Sequence, residues 1–304
     1  MHKSDWKEDK HQHANIYKFS SVSVIKRVAI NPSLLYVALK LTATVTRKFF
    51  VDQFLFWASI KMSGLSGKEL SPAVTNIEHE MDTLIPVRYE AVKLYLTFVK
   101  LWVSALSYFS NEFGKDFDGH IRDFLEGMQR CYSDAASIYD RCLSTTRRPA
   151  KAPNPGLALV YAVDPHLFCV PSLHVIIVCY TFKKIEDVLL EMSMQSLYSF
   201  QLAELRKQAL AISESVLYVR QHSINCIPTA LAMLTVILPA FTTKEAKEFM
   251  NELWQGVVAE ENRAALLEYM SSLYDHLLSK GHSKVYEEIC NFVAAYDNGM
   301  ESRL

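Results

Sequence analysis

Two long stretches of the chain, 165–182 and 223–243, contain no Asp, Glu, Lys or Arg. Each approaches the roughly 20 apolar residues that a helix needs to cross a bilayer. Pro165, His166, Pro171 and His174 break the first, and Asn225, Pro228 and Pro239 punctuate the second. Runs of this kind lie either in a membrane or at the centre of a large helical protein, and the interruptions favour the centre. The other apolar stretches point the same way. Lys40, Arg47, Lys48 and Asp52 interrupt 31–60, and Arg88, Glu90, Lys93 and Lys100 interrupt 87–109. Each charge at bilayer depth costs roughly 2.5–3.5 kcal/mol on insertion scales. The expectation is a soluble or peripherally attached protein, not one that crosses a membrane six times.

Helical spacing recurs along the chain. Ile121, Phe124, Leu125, Met128 and Cys131 form one face; Leu266, Met270, Leu273 and Leu277 form another; Val285, Ile289, Phe292 and Tyr296 form a third. Gly281 separates the last two, and 64–72 (GLSGKELSP) supplies turn signals between helices. No period-2 strand series stands out. The fold expected is all-α: a helical bundle core of about six helices with additional C-terminal amphipathic helices. Three regions follow, a polar N-terminal segment over 1–30, the core over 31–241 and a C-terminal helical cap over 242–304. The cap carries eleven acidic and six basic residues, the pattern of a solvated face.

Composition narrows the function. Among 304 residues, 32 Lys and Arg stand against 33 Asp and Glu, which removes the excess of cations that phosphate-backbone binding requires, so no nucleic-acid partner is expected. The six cysteines form no CxxC pair, and the opening MHKSDWKEDKHQH has no apolar leader run. A reducing, cytoplasmic setting is expected, with contact to a membrane surface compatible with the apolar content. His2, His11 and His13 read as a solvated tail in preference to metal ligands.

Three segments carry candidate chemistry. Arg141 is followed, after six intervening residues, by Arg148-Pro149; guanidinium groups suit phosphate because their planar fork offers several donors at fixed charge. Pro171-Ser172-Leu173-His174 lies between apolar runs, and a helix starting there would offer free N–H groups to an anion, with His174 at its mouth. Ser215 precedes His222 by seven positions, and an imidazole can attack phosphorus if its other ring nitrogen is held. Taken singly, each segment is equally a solvated loop or a hydrogen-bonded core histidine.

Their order and separation resemble the signature of the type 2 phosphatidic acid phosphatase and vanadium haloperoxidase superfamily: Lys-x6-Arg-Pro, then Pro-Ser-Gly-His, then Ser-Arg-x5-His-x3-Asp. Here Arg141 stands for the Lys, and Leu173 for the Gly, as also occurs in lipid-modifying branches. Val216 stands for the Arg of the third segment and Cys226 for its Asp. Leu84-Ile85-Pro86, followed by Tyr95 and Trp102, is similar to membrane-bound members. The resemblance spans roughly residues 34–241. It implies a six-helix core and hydrolysis of a phosphomonoester without metal or cofactor, the substrate being a phosphorylated small molecule or lipid. By position, His222 would be the nucleophile and His174 the general acid. Arg141, Arg148, Ser172, the N–H of Leu173, and Ser215 would hold the phosphate. Val216 removes one cation, and the thiol of Cys226 is a weak acceptor for orienting His222, so Cys226→Asp is expected to speed a slow enzyme unless Asp164 substitutes for the missing carboxylate. Haloperoxidase activity is not expected. The alternative, from a different class, is a catalytically lapsed relative that keeps the pocket as a phosphate-ligand-binding or helical scaffold protein.

Overall fold

The computed structural model describes residues 22–51, 55, 58 and 73–296. The N-terminal histidines and the turn segment 64–72 lie outside them. The fold is all-α. It begins with a helical pair, α1 (Val22–Ile30) and α2 (Pro32–Val45), bent sharply between them. Asn31 and Pro32 explain the bend: Pro cannot continue α1 but suits the first turn of α2, and the Asn31 side chain accepts the N–H groups of Ser33 and Leu34. Arg27 anchors the pair, with its Nε 2.6 Å from Asp118 and its Nη1 on Ser110.

A short helix α3 (Val92–Tyr95) leads to α4 (Phe98–Phe113), α5 (Asp118–Tyr139), α6 (Pro155–Val163), α7 (Leu173–Glu191), α8 (Ser199–Tyr218) and α9 (Cys226–Ile237). The two charge-free runs account for the interior. Helix α7 packs against α4, α5, α8 and α9, and α9 is buried along nearly its whole length. Such all-round burial requires all-round apolarity, which is why neither run shows the polar stripe of a surface helix. Among the described residues, the helical run Tyr89–Tyr139 is long and apolar enough to cross a membrane, as is the α1–α2 region if the bent pair counts as one span; half of the former's apolar window is buried inside the protein.

The cap packs directly on the core. Helices α10 (Thr243–Glu252) and α11 (Glu260–Leu278) cover α9, and α12 (Val285–Tyr296) lies against α9, α5 and a strand. All eight residues of the two C-terminal stripes are buried, and Gly281, at φ +89, makes the turn between α11 and α12. The strand is β1 (Val74–Asn76), which pairs in parallel with β2 (Leu143–Thr145). Three-residue strands are too short to leave an alternation pattern in sequence, so this ribbon was not anticipated.

Close contact between α5 and α7 depends on Gly127. A Cβ there would overlap the hydroxyl of Tyr180 and come within 2.7 Å of its ring. Tyr180 is buried, and its hydroxyl donates to the Phe124 carbonyl, so it has nowhere to move. Gly127→Ala adds about 1 kcal/mol of helix propensity but forces an overpacking cost of roughly 1–3 kcal/mol. The expected outcome is a melting temperature several degrees below wild type; an unchanged or raised value would contradict this packing.

Candidate functional site

The chain enters α7 through a segment, 165–172, held on both sides by backbone bonds. The Ser144 carbonyl accepts the Cys169 N–H, and the Ser144 hydroxyl accepts the Val170 N–H at 2.8 Å. A cis Val170–Pro171 peptide precedes Ser172, the N-cap of α7, whose side chain accepts the N–H of Val175. Leu173 and His174 therefore occupy the first turn, where N–H groups have no partner inside the helix.

The end of α8 aims the other histidine. Gln221 N–H bonds back to the Val216 carbonyl and Arg220 N–H to that of Leu217, the paired bonds of a Schellman motif. The left-handed position usually taken by Gly is Arg220, at φ +55. Its guanidinium holds the strained turn by donating to the carbonyls of Asp82 (2.6 Å) and Ile85 (3.0 Å). Asp82 grips the far side of the loop, accepting Ile224 N–H at 2.7 Å and His79 N–H at 3.0 Å. Burial lifts the Asp82 carboxyl to about 6, against the pull of those two N–H groups.

These two devices bring His222 and His174 together, with ring centroids 6.0 Å apart and planes at 69°. His222 Nδ1 lies 2.9 Å from the Cys169 carbonyl oxygen. A carbonyl only accepts, so Nδ1 carries the proton and Nε2 presents its lone pair. Burial lowers the His222 pKa to about 4, overriding the support of that carbonyl and of Asp164. His174 is stacked on Tyr95 at 4.1 Å and packed on Phe98 at 4.2 Å. Its Nε2 is buried with no hydrogen-bond partner among the described residues, and burial holds its pKa far below the ordinary value. Both rings are neutral in the free protein at pH 7.

Both histidines line a cavity of about 340 Å³, together with Leu96, Leu159, Val163, Phe168, Asp164 and Gln221. The walls are mostly hydrocarbon, and Leu96, Leu159 and Val163 are substantially exposed at its surface. Arg148 binds two of the polar lining residues, with Nη2 2.7 Å from Asp164 and also on Gln221, and its guanidinium lies over the Tyr161 ring. Its Nε is buried and has no partner among the described residues. His222 also lines a second, polar cavity of about 420 Å³, with Glu78, Asp82, Thr146, Arg147 and Arg220. Among the described residues, no group of three or more His, Cys, Asp or Glu gathers as a metal-ligand set.

The remaining sequence candidates lie elsewhere. Arg141 caps the C-terminal end of α5, donating to the Ser137 carbonyl and, across to α12, to the Tyr286 carbonyl; it does not line the cavity. Ser215 is buried in α8, with its hydroxyl on the Ile212 carbonyl at 2.6 Å. Val216 is a core residue, as its apolar side chain suits. Cys226 begins α9, its carbonyl accepts Ser172 N–H, and its thiol interacts with the Ser172 hydroxyl instead of His222. The weak acceptor expected at Cys226 does not face His222, and Asp164 does not substitute for it; the backbone carbonyl of Cys169 orients the ring. Asp164 is engaged with Arg148 and with the N–H of His166. Sequence reading missed Cys169, Gln221 and Asp82. Only Gln221, adjacent to His222, could have been suspected, because a backbone acceptor has no residue signature. No protein family, curated protein or solved structure in the comparisons matches the chain.

This geometry reverses the expectation for position 226. Asp there would be a buried charge beside a serine, with His222 already satisfied. Cys226→Asp is expected to lower the melting temperature by several degrees, following an unfavourable burial of at least about 2 kcal/mol, with no gain in any phosphate-releasing activity. A faster, equally stable variant would restore the family-like role of this position.

Proposed function

We propose that the chain is a divergent member of the type 2 phosphatidic acid phosphatase superfamily that hydrolyses a phosphomonoester through a phosphohistidine, without metal or cofactor. The observation that carries the reading is His222, with Nδ1–H committed to the Cys169 carbonyl and Nε2 open beside a second buried histidine. In the proposed reaction, Nε2 attacks phosphorus as the P–O bond to the leaving group breaks. The leaving oxygen takes a proton through His174. Water then attacks the phosphohistidine, His174 accepts its proton, and phosphate departs. Arg148 and the first-turn N–H groups of Leu173 and His174 offset charge on the equatorial oxygens. The hydrocarbon walls and apolar rim favour an amphiphilic phosphate, a lipid or another molecule with an apolar tail, reached at a membrane surface by a cytoplasmic protein.

The protonation states give this mechanism a pH signature. His174 is neutral in the free protein, so the leaving-group proton must arrive with a monoanionic substrate, which loses it above about pH 6. His222 is lost as a nucleophile only when pH falls through about 4. In kcat/KM, the acid limb should therefore sit near 4 in place of the 6.5 of an ordinary histidine, with decline above about 6. An aryl phosphate with an apolar substituent, assayed in EDTA, should give orthovanadate-sensitive release of phosphate on such a profile. His222→Ala should reduce it by roughly a thousandfold.

One observation favours the lapsed relative. Arg148 is not among the residues that line the apolar cavity and is already paired with Asp164 and Gln221, and Arg141 is remote. Phosphate binding without turnover, across a panel of phosphomonoesters in EDTA, would decide for the binding protein.

A further inference from the structure

Two thiols meet where the C-terminal helix lies on the core. Cys142, just beyond the end of α5, is buried, and Cys290, midway along α12, is partly exposed. Their sulfurs are 3.3 Å apart, with the Cys142 S–H donating to Cys290. No other pair of cysteine sulfurs among the described residues is in hydrogen-bonding contact. The guanidinium of Arg141, next to Cys142 in sequence, donates to the Tyr286 carbonyl one helical turn before Cys290. A cation and a thiol donor thus converge on the more accessible sulfur of the pair, the environment that makes a cysteine reactive.

We propose that Cys142 and Cys290 form an oxidation site for hydroperoxides, closing to a disulfide that fastens α12 to the end of α5. Cys290 is the attacking sulfur. The hydrogen bond from Cys142 and the charge of Arg141 hold its pKa below the ordinary thiol value, against its burial, while the same bond and burial push Cys142 up. With hydrogen peroxide, the Cys290 thiolate attacks one oxygen and the O–O bond breaks. The hydroxide released takes up the thiol proton as water, leaving Cys290 a sulfenic acid. The Cys142 sulfur, giving up its proton, then attacks the Cys290 sulfur, and the S–O bond breaks to release a second water. Two thiols lose two electrons, and one peroxide becomes two waters. A disulfide bond is about 2.05 Å long, so the sulfurs need to close by only about 1.3 Å. A dithiol reverses the reaction by exchange.

The bond would tie more than one element. Helix α12 packs on β1, and the Tyr296 hydroxyl donates to the Glu78 carbonyl just after that strand. Strand β1 pairs with β2, which begins immediately after Cys142. Oxidation therefore clamps the strand ribbon from which the Arg148 loop departs. The inference stands whether or not the cavity hydrolyses phosphate.

The test uses the reduced full-length protein treated with hydrogen peroxide. Remaining thiols are then alkylated under denaturing conditions, and peptides are mapped without reduction. The expected result is one dominant cross-link, Cys142 to Cys290, with the other four cysteines alkylated. The melting temperature should rise by about 5 °C, the order expected for closing a long loop, and fall back with dithiothreitol. In Cys142→Ser, where no second thiol can resolve the sulfenic acid, Cys290 should proceed to sulfinic acid. In Cys290→Ser the cross-link should vanish and Cys142 should remain a thiol. Cys290 that stays alkylatable, becomes sulfinic acid in the wild type without the cross-link, or pairs with another cysteine would overturn the proposal.

Discussion

The backbone of Cys169 ties together the segments on which the site depends. Its N–H donates to the Ser144 carbonyl, its carbonyl accepts the Nδ1–H of His222, and its thiol donates to the Gln221 carbonyl. One residue therefore joins the β2 ribbon, the entry to α7 and the loop after α8. The Arg148 contacts with Asp164 and Gln221 and the Ser172 N–H bond to the Cys226 carbonyl reinforce the same arrangement. A main-chain carbonyl suits the task. It carries no charge to desolvate, it cannot titrate, and it fixes which nitrogen of the imidazole bears the proton.

A neutral acceptor has a consequence for the chemistry. A carboxylate at Nδ1 would raise the affinity of His222 for protons and stabilise the charge that develops on the ring as a phosphohistidine forms. The carbonyl orients the ring without that support, so burial dominates and the imidazole stays neutral well into the acid range. His174 is subject to the same burial, with Tyr95 and Phe98 against its ring. The site is therefore low in charge at rest, and a bound phosphate would bring most of its own. That fits an apolar cavity whose lining residue Asp164 is already paired with a guanidinium, that of Arg148.

The helical architecture was legible because burial leaves a compositional trace. The two charge-free runs became the interior helices α7 and α9, and the C-terminal stripes became the buried faces of α11 and α12. The start of α7 was readable too, since Pro171 and Ser172 are ordinary helix-entry residues. What escaped were features in which residue type and spatial role separate. Arg141 has the side chain of a phosphate ligand, but it follows the last turn of α5 and turns to that helix's carbonyls and to α12. Ser215 and Cys226 keep motif spacing while their side chains bond within α8 and to Ser172. Cys169 acts chiefly through its backbone, and Cys142 and Cys290 lie 148 positions apart in sequence. Neither has a local pattern to find.

In the proposed reaction His222 Nε2 carries the phosphoryl group. The direct measurement is to quench the protein into alkali, where phosphohistidine survives, during turnover of a phosphomonoester, and to locate the modified residue by peptide mass spectrometry. Phosphate is expected on His222 alone and absent from His222→Ala. Phosphate on another residue, or turnover that continues in His222→Ala with no phosphoenzyme, would contradict it.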